Sequence, residues 1–308
     1  MPTTARTGYT KTDRAGAIAV AAGAAIWGLF WLPLRYLSDL GVSGLWAVSL
    51  VMSTAAVPSL LLMWQQKESR DLLRKDTWLT SVALAAATVL YFTGILYSDV
   101  IRVIFLFYLL PLWTTLSARL IYGEPITRAK LLVIATALCG LWLLLGGGTA
   151  LPLPKNVGDW CGIAAGLCWG VSLSLLRGRA ETRPFAVTSS TLICALILSA
   201  TLASLLYLIN ADSVEPAAQV ITIDWQGTLG LAGIFGALIL FPAMLGQIWG
   251  ARRIPAPTAA LLTMTEILVA TVSAGLIIGT DLPPIAWLGG AIIVLAVCID
   301  LLAHHKQS

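Results

Sequence analysis

Residues 27–35 read WGLFWLPLR, and residues 169–177 read WGVSLSLLR. Each is Trp-Gly, five residues, then Leu-Arg, and the two copies stand 142 positions apart in a chain of 308, both inside long apolar runs. A second echo follows in the same order: residues 114–123 (TTLSARLIYG) agree with 270–279 (ATVSAGLIIG) at six of ten positions. Two matches in one order point to an internal duplication.

The runs that carry these echoes fill the chain. Apolar residues make up 58% and charged residues only 11%, and the mean hydropathy is +0.88, whereas soluble domains are about 45–50% apolar and about 25% charged. Stretches of spanning length, about 20 residues each, follow one another with short polar breaks such as SDLGVSG, QQKESRDLLRKD, GEPITRAK and GTDLPP. The expected class is therefore an all-α integral membrane protein in a lipid bilayer. Ten transmembrane helices are predicted at roughly 15–37, 44–65, 77–97, 101–122, 129–148, 158–178, 185–209, 226–249, 256–278 and 284–303. The first apolar run is longer than a signal-peptide core and reads as a retained helix.

Charge placement orients the helices. With both termini in the cytoplasm, sixteen Lys and Arg fall on inner segments and three (Arg35, Arg102, Lys155) on outer ones, as the positive-inside rule requires. Helix 1 resembles helix 6 and helix 4 resembles helix 9. Each half then has five helices, an odd number, so the second enters the membrane inverted. Residues 1–14 form a cytoplasmic tail, 15–150 the first half, 156–303 the inverted second half and 304–308 a short cytoplasmic tail. Inverted repeats of this kind build alternating-access transporters, with the substrate site near the midplane between the halves.

Two five-helix halves, the paired Trp-Gly, and YLLPLWTTLSARLIYGEPIT (108–127) with its echo in helix 9 together resemble the drug/metabolite transporter superfamily, EamA-type. Length, ten spans and tryptophan content are most similar to the YddG aromatic amino acid exporters of bacteria. The resemblance covers essentially the whole chain. It implies a central cavity lined by helices 1, 3, 4, 6, 8 and 9, export rather than uptake, and residence in the bacterial inner membrane. Three departures stand out. Glu266 is followed by Ile267 where the family has proline, so no backbone break is expected in helix 9. Leu110 aligns with Glu266, and Thr280 stands opposite Glu124.

Of twelve tryptophans, seven (Trp46, Trp64, Trp78, Trp160, Trp225, Trp249, Trp287) fall at predicted helix ends, where an amphipathic ring anchors at the headgroups. Trp27, Trp31, Trp113, Trp142 and Trp169 are interior, where an indole N–H needs protein, water or ligand. Trp27 and Trp31 share a helical face and Trp169 is the repeat twin of Trp27. They wall a cavity, or they pack against Gly28 and Gly170. Trp142 reads as packing. Tyr91 lies midway along helix 3. Tyr108 and Thr115, seven apart, share a face of helix 4 with Trp113 opposite, and either face could be inward. Ser172 and Thr263 complete the candidate cavity set. Pro33, Pro111 and Pro242 each mark a packed kink or a hinge that frees a carbonyl one turn earlier.

Glu266 is the sharpest signal. It lies roughly 15 Å into a core about 30 Å thick, where a charge costs on the order of 3 kcal/mol. Thr263, Ala270 and Ser273 share its small, polar stripe. An amine-binding or proton-carrying carboxylate is one reading, and a structural carboxylate the other.

Other features point away from chemistry. The five cysteines show no ligand-like pairing, His304 and His305 lack a third ligand, and neither HExxH nor GxSxG occurs. No metal, cofactor, nucleic acid or enzymatic activity is expected. The glycines at 227, 230, 233 and 236 read as a close helix approach. The expected function is export of aromatic or broadly neutral amino acids by a monomer, with protons as a candidate coupling ion. Carriers of cationic drugs or other metabolites are the alternative within transporters, and a membrane scaffold the alternative outside them. Phosphorylated substrates would need a midplane Lys or Arg, and none occurs.

Overall fold

The computed structural model describes residues 11–72, 74–147, 153–178, 183–210, 223–279 and 281–306. The tail through residue 10, the junction at 148–152, Thr280 and residues 307–308 lie outside them. Among the described residues the secondary structure is helical throughout, because only a helix satisfies every backbone group of an apolar segment internally. Among the described residues, nine helical stretches are long and apolar enough to cross a membrane. They comprise α1 (Lys11–Gly28) with α2 (Trp31–Asp39), α3 (Gly44–Gln65), α4 (Lys75–Tyr97), α5 (Val100–Phe107) with α6 (Leu110–Tyr122), α8 (Val157–Gly178), α9 (Pro184–Asn210), α10 (Trp225–Gly233) with α11 (Phe241–Ala251), α12 (Ala256–Thr263) with α13 (Thr265–Ile278), and α14 (Pro284–Lys306).

The remaining helix, α7 (Arg128–Leu144), has 17 residues rather than the twenty expected. At about 1.5 Å per residue it is shorter than a hydrocarbon core of about 30 Å. It ends early because Gly146 and Gly147 turn the chain at φ of 105° and 57°. It lies along α14, where a Cβ on Gly140 would come within 2.8 Å of the Gly289 carbonyl. The two backbones are therefore in direct contact.

Four of the long helices are interrupted, and three interruptions are followed by proline. Pro33 is the third residue of α2, while Pro111 and Pro242 are the second residues of α6 and α11. A first helical turn is where a missing N–H costs least. The carbonyls behind them are not simply freed. Leu29 O accepts from Leu32 N at 3.1 Å, and the Phe107 carbonyl closes on Gly166. Pro242 follows a π turn, Ile234–Leu240, whose exit N–H on Phe241 reaches Gly236 O. Beside that turn the Thr54 hydroxyl donates to Ala232 O at 2.7 Å, competing for an acceptor of the helical ladder. Of the four glycines in this region, only Gly236 meets a neighbouring helix, at Thr54, Val51 and Ala55 of α3. Gly230 and Gly233 face open space, which corrects the expected close approach along the whole row.

The fourth interruption corrects a second expectation. Helix 9 breaks at Met264 without a proline: its N–H bonds back to Leu261 O in a tight turn, and the next ladder bond, Leu268 N to Met264 O, is stretched to 3.5 Å. The half-helices match across the chain. Both α5 and α12 have eight residues and start 156 positions apart, and α6 and α13 both end on a left-handed glycine, Gly123 (φ 72°) and Gly279 (φ 76°). Glycine is needed there because a Cβ disfavours positive φ.

Small residues seat the helices. Gly28 abuts the Glu266 carbonyl, Val269 and Ala270 of α13, and Gly170 abuts Trp113 and Thr114 of α6. Hydroxyl pairs join further helices, Ser49 to Ser199 at 2.7 Å, Ser59 to Ser189 at 2.6 Å and Ser117 to Ser174 at 2.7 Å. Trp46, Trp64, Trp78, Trp160, Trp225 and Trp287 are exposed, and the Trp249 ring carries the Arg253 guanidinium 3.6 Å above it. Outside the spans, the buried Glu68 carboxylate accepts from Ala186 N at the start of α9, at 3.1 Å. Burial pushes its carboxyl above the usual range, with the Ala186 and Phe185 N–H groups and the Arg183 charge partly opposing.

Candidate functional site

A cavity of about 440 Å³ lies between α1, α2, α4, α5, α8 and α13. The breaks in three helices meet at it, so side chains that a straight helix would direct elsewhere turn inward. Its walls carry eight aromatic side chains: Trp27, Phe30, Trp31, Tyr91, Phe92, Phe107, Tyr108 and Trp169. Trp27 meets Trp169 edge to face at 6.2 Å and 88° and Phe30 edge to face at 5.2 Å, while Tyr91 and Phe107 are tilted against each other at 4.9 Å. At one end the cavity extends between Leu34, Ile95, Val100 and Leu145. Beyond Glu266 lies α12, whose eight residues are all buried, in contact with α1, α6, α8 and α14.

Glu266, in the first turn of α13, is the one charged residue among the described residues that line the cavity. It lies deep in the molecule yet keeps accessible surface, and the cavity accounts for that surface. The buried Tyr108 side chain lines the same cavity. Among the described residues no Lys or Arg forms an ion pair with Glu266. The Trp31 indole N–H donates to Ser273 Oγ at 3.1 Å, while the indole N–H groups of Trp27 and Trp169 are buried without a partner.

The structure thus brings together Trp27, Trp31, Tyr91, Tyr108, Trp169 and Glu266, and leaves out four expected members. Thr115, Ser172 and Thr263 donate to carbonyls of their own helices, Pro111 O at 2.8 Å, Trp169 O at 2.7 Å and Ala259 O at 2.9 Å. Trp113 packs on Gly170. The reason is physical for two of them. Tyr108 and Thr115 lie on opposite sides of one break, as do Thr263 and Ala270 of another, so helical spacing does not carry across. Phe30, Phe92, Phe107, Thr88 and Thr271 line the cavity without having been singled out. Phe30 had a signal, since it lies one turn from Trp27.

A model of the EamA-like transporter family matches residues 14–146 and, a second time, residues 156–301. The chain belongs to this family. In sequence it is similar to the uncharacterized transporter YyaM of Bacillus subtilis (strain 168), 24% identical over 256 residues that make up 79% of each chain. A crystal structure of a protein 16% identical to it shares the fold, with a TM-score of 0.72, covering 96% of this chain and 99% of the other. The transporter is thus a multi-pass membrane protein acting on a small molecule, and the aromatic cavity is its candidate binding site.

Proposed function

We propose that the transporter exports amino acids, aromatic or broadly neutral, across the bacterial inner membrane by alternating access. Ten spans are counted by taking α7 as the fifth, with both termini cytoplasmic and the halves inverted. The double match of the family model and the equal half-helices 156 residues apart support this arrangement. On this topology the cavity faces outward. The observation that carries the substrate reading is the single carboxylate in an aromatic cavity. Rings hold an apolar side chain, and Glu266 takes the amine. Pro33, Pro111 and Pro242 sit at hinges between half-helices. Protons are the coupling ion that Glu266 could exchange with an amine.

The test is uptake of a labelled amino acid panel into proteoliposomes, with and without a proton gradient, comparing the transporter with Glu266→Gln. Aromatic and large neutral amino acids should cross, and the variant should lose about tenfold or more of the rate. If no amino acid crosses in either direction, the reading fails. A second reading, export of cationic drugs or other amine metabolites, is favoured because none of the described residues on the cavity wall is Lys, Arg or His. Cationic dyes in the same panel separate the two.

A further inference from the structure

Outside the cavity, two buried carboxylates sit beside the two matching half-helices. At the basic end of the molecule Asp300 of α14, 3% exposed, accepts from Lys130 Nζ of α7 at 2.6 Å and from Thr258 Oγ1 of α12 at 2.6 Å. At the opposite end Asp159 of α8, fully buried, accepts from the Arg102 guanidinium of α5 at 3.2 Å, from the Lys155 backbone N–H at 2.7 Å, and from the Ser98 hydroxyl. Thr258 and Arg102 are each the third residue of their half-helix and stand 156 positions apart. Each cluster joins the first half of the chain to the second, and none of its ionic groups lines the aromatic cavity.

A buried ion pair adds little net stability compared with well-packed apolar groups, but it strongly favours the one arrangement in which all its partners meet. The half-helices are where such selectivity matters. The α12 segment is buried along its whole length, and Thr258 ties it to Asp300 of α14. The α5 segment contributes Val100 and Ile104 to the cavity wall, and Arg102 ties it back to α8. We propose that the Lys130–Asp300–Thr258 and Arg102–Asp159–Ser98 clusters are a pair of latches that hold the outward-open arrangement, and that each opens when its half-helix moves. This inference rests on the alternating-access reading.

The test uses the full chain with its native cysteines replaced and Thr271→Cys on the cavity wall as reporter. Alkylation by a membrane-impermeant maleimide is timed in right-side-out and in inverted membrane vesicles. Asp300→Asn and Asp159→Asn should each slow labelling from outside and speed labelling from inside, by about tenfold. Thr258→Val and Ser98→Ala, which leave the charges in place, should shift both rates the same way by about threefold, and they decide the matter should the Asp variants fail to fold. A lower melting temperature with both labelling rates unchanged would reduce the clusters to structural ties and overturn the proposal. If the parent protein is never labelled from inside, with substrate or without, alternating access itself fails and the latches with it.

Discussion

WGLFWLPLR and WGVSLSLLR begin alike and fold differently. The first is cut between Gly28 and Trp31, whereas the second runs unbroken through α8. Their glycines do the same work: Gly28 lies on Val269 and Ala270, Gly170 lies on Trp113 and Thr114, and those contact positions are again 156 apart. The five residues between differ throughout, LFWLP against VSLSL, and the first copy alone carries a proline, Pro33, where the second has Leu175. The shared glycines seat each helix on its neighbour, and the differing segment, with its proline in the first copy, goes with the break. Because the first copy breaks, Trp31 can reach Ser273, while its counterpart Leu173 is simply buried.

The sharpest way to break this contrast is to exchange the residues at the proline position. Leu175→Pro should cost about 3 kcal/mol or more, since a proline inside an intact helix removes a bond and clashes with the preceding turn. The expected outcome is loss of monodisperse protein on size-exclusion chromatography. Pro33→Leu should fold, but it restores an N–H that can rejoin α1 to α2, so transport rather than yield should fall. Next in size are the glycines. In Gly28→Ala the new methyl meets the Glu266 backbone carbonyl, and in Gly170→Ala its nearest neighbour is Thr114 N at 2.9 Å. Overpacking of this kind costs about 1–3 kcal/mol, and Gly28→Ala should show the larger drop in melting temperature. Equal drops would mean the two docking sites are equivalent after all.

Trp31→Phe keeps the ring in the cavity and removes the bond to Ser273, for about 1 kcal/mol. Ser273→Ala should match it, and the double variant should add little. The smallest effect lies outside the membrane at Glu68. Its carboxyl is raised in the folded state, so its contribution is present below the ordinary glutamate value and fades as pH rises through the folded one. The melting temperature of the parent relative to Glu68→Gln should therefore be higher at about pH 4 than at about pH 8.

The sequence was most legible where one physical rule acts alone. Length and hydropathy located the helices to within a few residues, and the cost of a midplane charge singled out Glu266. Interior tryptophans found Trp27, Trp31 and Trp169 on the cavity wall, because an indole has few places to go in lipid. Legibility failed where helical periodicity was extended across a break. Thr115 was paired with Tyr108 and Thr263 with Ala270 over interruptions that reset the helical angle. The break at Met264 had no proline to announce it; it shows only in the tight bond to Leu261 and the stretched bond from Leu268. Ser172 was lost for a simpler reason, since a hydroxyl three residues on from Trp169 can bond its own helix instead of facing the cavity.

The equal length of α5 and α12 bears on which genetic changes this protein can absorb. Eight residues of helix rise about 12 Å and turn a little more than twice. One residue inserted into either would rotate everything beyond it by about 100°, swinging Tyr108 or Glu266 away from the cavity while leaving composition and hydropathy untouched. Substitutions among small apolar residues in these segments should be well tolerated in a library screen, whereas single-residue insertions and deletions should be lost from it. For these two stretches the quantity under selection is a residue count.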